Sequence, residues 1–144
     1  MPDRSARMDT KAVHQQVLRD VLAQRPEVLL GYVFGSFGGD NGQPGPESDV
    51  DVAVAANGPL DSAARLRLTD DLAMATGRPV DLIDLHTAGP VILTQALTRG
   101  TCLVKRDPAL LARLIVRMWY LNEDFLPLVR RIQDARRRRF LHGQ

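Results

Sequence analysis

At 144 residues the chain has room for one buried core with a terminal extension, not for two full catalytic domains. A composition of 44% apolar and 25% charged residues excludes a mainly disordered chain, and no apolar run approaches the roughly 20 residues that cross a bilayer, so a cytoplasmic protein without membrane contact is expected. The net charge of +2 conceals an asymmetry: residues 1–104 carry 9 basic against 13 acidic side chains, whereas residues 105–144 carry 10 against 4.

After a frayed start, Val13, Val17, Leu18, Val21 and Leu22 recur at helical spacing up to Pro26, predicting an amphipathic helix with His14 on its surface. LLGYVFG is short and rich in β-formers, which predicts a strand over Leu29–Phe34 running into a turn at Gly35-Ser36. The glycines and prolines between Gly35 and Ser48 predict a loop with a mobile middle. DVDVAVAA then alternates, with Val50, Val52 and Val54 on a packed face and Asp49, Asp51 and Ala53 on the other. Asp61 or Ser62 caps a helix ending at Gly77; VDLIDL is a third strand; Pro90 begins a helix ending at Gly100; TCLV is a last short strand. Cys102 within TCLV reads as a buried core thiol, and as the lone cysteine it excludes disulfides and zinc clusters. Asp107-Pro108 opens a helix whose buried stripe is Leu110, Leu111, Leu114, Ile115 and Met118, with Trp119 and Tyr120 widening it as core or interface residues, and a second, basic helix runs past Pro127. The succession of elements predicts an α/β fold with a mixed β-sheet and a C-terminal helical extension.

Two positions apart on a strand, Asp49 and Asp51 project to one side and can share hard divalent cations. An isolated DxD is more often a solvated strand face. Here it follows a strand that ends in Gly35-Ser36, where a missing side chain admits a phosphate and the serine hydroxyl and turn amides can donate to it. VDLIDL supplies a further carboxylate. Asp81 and Asp84 lie three apart on a strand, so both cannot face one site; Asp81 is the first choice and Asp84 the alternative, and the one that points away holds a neighbouring backbone group. Three carboxylates holding two magnesium ions suit attack of a hydroxyl on the α-phosphorus of a nucleoside triphosphate, with Asp81 drawing the proton.

GYVFGS, SDVDVAV and RPVDLIDL in this order resemble the minimal nucleotidyltransferases of the DNA polymerase beta-like superfamily, from about Leu29 to Val104. The resemblance implies a nucleotidyltransferase core over residues 10–104 and a helical extension over 107–140 packed on the same domain. It further implies a nucleotide-binding Gly35-Ser36 pair, metal ligands and catalytic carboxylates at Asp49, Asp51 and Asp81, and Mg2+ with ATP as substrate. The loop Phe37–Ser48 is longer than the family's usual one, and Gly39 stands at its usual arginine position. A stand-alone chain of this size also resembles MntA-type antitoxins, which implies a HEPN-domain ribonuclease toxin as partner and transfer of AMP from ATP to a toxin tyrosine. Transfer to a small molecule such as an aminoglycoside is the enzymatic alternative, and a weakly catalytic or non-catalytic binding antitoxin the other.

Arg130, Arg131 and Arg136–Arg139 form a basic end suited to a solvated helix terminus or an acidic protein partner; no organised nucleic-acid motif accompanies them, and direct nucleic-acid binding is not expected. His86 after VDLIDL reads as a turn residue. A homo-oligomer and a hetero-oligomer both remain open.

Overall fold

The computed structural model describes residues 4–39, 44–45 and 48–141, with side chains at 10–39, 44–45, 48–122 and 134–135. In chain order the elements are α1 (Arg4–Ala23), β1 (Leu30–Phe34), a single 3-10 turn (Gly35–Phe37), β2 (Val50–Ala55), α2 (Ser62–Thr76), β3 (Val80–Asp84), α3 (Pro90–Arg99), β4 (Thr101–Lys105) and α4 (Pro108–Leu141). The sheet runs β3-β2-β1-β4; β1 is antiparallel to both of its neighbours, and β2 is parallel to β3. The expected mixed sheet and every expected strand are present. The connection between the parallel pair carries α2, as parallel strands need a crossover.

Helices cover both faces. On one, Leu18 and Leu22 of α1 and Leu68 and Leu72 of α2 pack over Val33, Val50, Val52, Val54 and Leu82. On the other, Leu93 and Ala96 of α3 and Leu110, Leu114 and Met118 of α4 pack over Leu30, Tyr32, Phe34, Ala53 and Ala55. This corrects the expectation of a single packed face on the second strand. β2 lies inside the sheet with helices on either side, and Ala53 and Ala55 are as buried as the valines. Small residues on that face let the helices approach.

Local signals account for the helix ends. Asp61 accepts a hydrogen bond from the Ala64 amide as N-cap of α2, and Gly77 closes that helix in the left-handed conformation. Asp107 accepts from the Leu110 amide at the start of α4 (3.0 Å). Three expectations are corrected. The last helical segment is one 34-residue helix that continues through Pro127, because a proline removes one ladder bond without ending a helix whose flanking turns are made. Trp119 and Tyr120 do not widen its buried stripe; at 61% and 67% exposure they lie on the opposite side from Leu114 and Met118. Cys102 is exposed because β4 is an edge strand; Leu103, with Val104 partly buried beside it, is what β4 gives to the core on the α1 side. The side chains of Arg130, Arg131 and Arg136–Arg139, residue His142, and the loop middle with Gly42 and Pro46 lie outside the described residues. Among the described residues no helix is long and apolar enough to cross a membrane.

Candidate active site

At one end of the sheet β1 stops, β2 and β3 start, and three acidic residues come together. Parallel pairing sets Asp51 directly beside Asp81, and antiparallel pairing sets Asp51 opposite Phe34, the residue before the Gly-Ser turn. Asp49, two residues before Asp51, belongs to the same side by strand periodicity. Their proximity registers electrostatically: burial, then the charges of Asp81 and Asp49, hold the Asp51 carboxyl above its ordinary range. Among the described residues no salt bridge is made to any of the three.

Gly35 has a positive φ of 67°, and a Cβ there would lie 2.4 Å from Oδ2 of Asp51. The missing side chain therefore leaves the space in which Asp51 stands. Gly35 is exposed and Ser36 half-buried, within the 3-10 turn that Gly38 closes by donating to the Gly35 carbonyl (3.2 Å). Phe37 anchors the turn, with none of its surface exposed. Its carbonyl accepts from Nε2 of Gln15 (2.8 Å), and its ring lies 5.1 Å from that of His14. His14 is thus half-buried against the turn rather than on an outer helix surface.

Asp84 stands elsewhere. Three residues beyond Asp81 it is 4% exposed, with one carboxylate oxygen accepting from the Leu60 amide (2.8 Å) and the other from the His86 amide (2.9 Å). It is the aspartate that holds neighbouring backbone, and Asp81 is the one beside Asp51. His86 Nε2 lies 2.8 Å from the Ala56 carbonyl, in keeping with its turn role.

One feature of the site, Arg78, was not singled out from sequence. It directly precedes Pro79 and the third strand, and its Nη1 donates to the carbonyls of Gly45 (2.8 Å) and Ser48 (3.3 Å). Gly39 is bound by its fold: its amide donates to Oγ1 of Thr101 (3.0 Å), its carbonyl accepts from Lys11, and a Cβ would lie 2.6 Å from the Arg99 carbonyl. With φ at 67° as well, this backbone has no place for a side chain.

The donor set suits a hard divalent cation: in-register carboxylates whose mutual repulsion such an ion would relieve. Among the described residues no group of three or more His, Cys, Asp or Glu side chains is placed so that it could hold a metal ion by itself. Magnesium commonly uses one or two carboxylates plus substrate phosphates rather than an all-protein cage, so the set matches a metal that arrives with a nucleotide.

Residues 16–109 match the family described as polymerase beta, nucleotidyltransferase. The chain is 37% identical over 106 residues to the protein adenylyltransferase MntA of Shewanella oneidensis, covering 72% of this chain and 73% of that relative. It superposes with a TM-score of 0.65 on a chain of a toxin–antitoxin crystal structure with AMP-PNP, at 29% identity over 83% of this chain and 98% of that one. A chain from a tri-AMPylated Shewanella oneidensis HEPN toxin in complex with MNT antitoxin gives a TM-score of 0.61 at 28% identity, covering 85% and 98%.

Proposed function

We propose, from the premise that this chain belongs to the polymerase beta nucleotidyltransferase family and resembles MntA-type antitoxins, that it transfers AMP from ATP to a tyrosine of a HEPN-domain toxin. The observation that carries the reading is the Asp51–Asp81 register beside a Gly-Ser turn without a side chain at Gly35. Relatives described as a protein adenylyltransferase and as an antitoxin bound to a tri-AMPylated HEPN toxin support the acceptor.

In this reading Asp49, Asp51 and Asp81 hold magnesium, which when bound supplies neutralisation of the polyphosphate and acidifies the acceptor hydroxyl. Asp81, exposed on the edge strand β3, takes the hydroxyl proton as the acceptor oxygen bonds to the α-phosphorus and pyrophosphate leaves. The Ser36 hydroxyl and amides of the turn donate to phosphate oxygens, where charge grows in the transition state. Asp51 binds the cation only when ionised, so its raised proton affinity favours metal binding on the alkaline side of its titration.

A second reading, a binding antitoxin with weak catalysis, draws support from Gly39, which stands where the family usually has arginine. Intact mass of the cognate HEPN protein after incubation with this chain, ATP and magnesium separates the two. Added AMP masses that vanish with Asp49→Ala/Asp51→Ala support transfer. An unmodified toxin in a demonstrated complex, with the toxin inhibited, would overturn transfer in favour of binding.

A further inference from the structure

Arg78 sits in the turn before β3, three residues ahead of Asp81, and is half-buried. Its guanidinium reaches three separate parts of the site. Nη1 donates to the carbonyls of Gly45 and Ser48, on the far side of the loop from the Gly-Ser turn, and Ser48 directly precedes Asp49. Its central carbon lies 5.0 Å from the centroid of the Phe37 ring, directly after Ser36. The adjoining backbone makes a further tie, since the Pro79 carbonyl accepts from the Val50 amide (2.9 Å). The returning loop has its own closure, with the Ser48 hydroxyl accepting from the Gly45 amide (2.7 Å).

Arginine suits this place because a planar guanidinium can stack on an aromatic face while its N–H groups point outward in the plane to carbonyls. The two carbonyls and the ring are neutral, and among the described residues the guanidinium makes no ion pair with a carboxylate. The anchor is firm: Phe37 is wholly buried among Val33, Val50 and Leu72, so the cation stands on a side chain that has little freedom to move. Without Arg78, the segment from Gly45 to Ser48 keeps its own closure but loses its side-chain tie to the Gly-Ser turn.

We infer that Arg78 is a positioning residue: it sets the distance between the phosphate-binding turn at Ser36 and the Asp49–Asp51 carboxylates by clamping Ser48 onto the Phe37 ring. The inference rests on the nucleotidyl-transfer reading for its chemical consequence, but the clamp itself can be tested without turnover.

The experiment compares the full-length wild type, Arg78→Ala and Arg78→Lys by hydrogen–deuterium exchange of the peptide spanning residues 44–51, by calorimetric binding of ATP with magnesium, and by AMP transfer. Arg78→Ala is expected to speed exchange in that peptide and leave β4 unchanged. It should lower kcat for AMP transfer roughly 10- to 100-fold, because ångström-scale misplacement of reacting groups has that effect. Arg78→Lys retains a cation over Phe37 but cannot stack and reach both carbonyls together. It should leave kcat and the exchange of residues 44–51 impaired. Should Arg78→Lys fold and match the wild type in exchange and kcat, the clamp is overturned and the residue is only a generic cation. If the wild type binds ATP without transferring AMP, the function reading fails, and the exchange comparison still decides the clamp.

Discussion

The two ends of one sheet are electrostatic opposites. At the end where β1 begins and β2, β3 and β4 finish, polar groups are matched. Asp84 accepts from two backbone amides, and Arg106 donates to the carbonyls of Leu22, Ala23, Arg25 and Val28. Arg117 of α4 donates to those of Leu85 (2.9 Å) and Ala88 (3.0 Å). At the other end Asp49, Asp51 and Asp81 crowd together, and among the described residues no salt bridge neutralises them. Both ends tie the chain with side-chain hydrogen bonds, but among the described residues only the second gathers carboxylates without an ion pair, which leaves a demand for a cation.

Substitutions at matched positions on β3 test that contrast most severely. Asp81→Asn should reduce AMP transfer on the order of 10²–10⁴-fold, the usual worth of a positioned acid or base, while stability stays within about 0.5 kcal/mol. Steady-state transfer assays with parallel urea unfolding check both halves, and an Asp81→Asn protein that transfers normally would remove this residue from the chemistry. Asp84→Ala should do the reverse. Two buried amides lose their acceptor, so unfolding should become easier by about 2–4 kcal/mol, with transfer per folded molecule retained.

The smallest effect sharpens the contrast through pH. Because the folded-state pKa of Asp51 is raised, the folded chain holds this proton more tightly than the unfolded one. Its contribution to stability therefore falls as pH rises from the ordinary carboxylate range through the raised value, and the penalty is full above it. Asp51→Asn should make the magnesium-free protein more stable above that range, by at most about 1 kcal/mol given its partial exposure, with the gain fading at lower pH. Thermal midpoints of both proteins across pH in a chelating buffer check the sign; a variant less stable at neutral pH would show that the ionised carboxylate contributes more through favourable contacts than it costs through burial and repulsion.

Much of the fold was legible because its signals are local. Asp61 and Gly77 bracket α2, Pro90 opens α3, and the apolar stripe of α4 from Leu110 to Met118 faces the sheet as its spacing predicts. The candidate site was legible for the same reason, since strand periodicity alone pairs Asp49 with Asp51 and separates Asp81 from Asp84. Arg78 was not legible: its partners lie 30 and 33 positions away in sequence, and nothing in an Arg-Pro pair says which carbonyls it will meet. Nor was the exposure of Trp119, Tyr120 and Cys102, because apolar character states a preference for burial without saying whether a neighbour exists to provide it.

By itself the sequence determined which residues could turn, cap, alternate and carry negative charge, because these properties depend on side-chain chemistry and on neighbours within a few positions. Only the tertiary structure decided that Asp81 lies beside Asp51, that Asp84 is consumed by Leu60 and His86, and that Arg78 bridges Phe37 to Ser48. Those pairings depend on strand order and register, which are set by how two helical layers close on both faces of the sheet rather than by any segment alone.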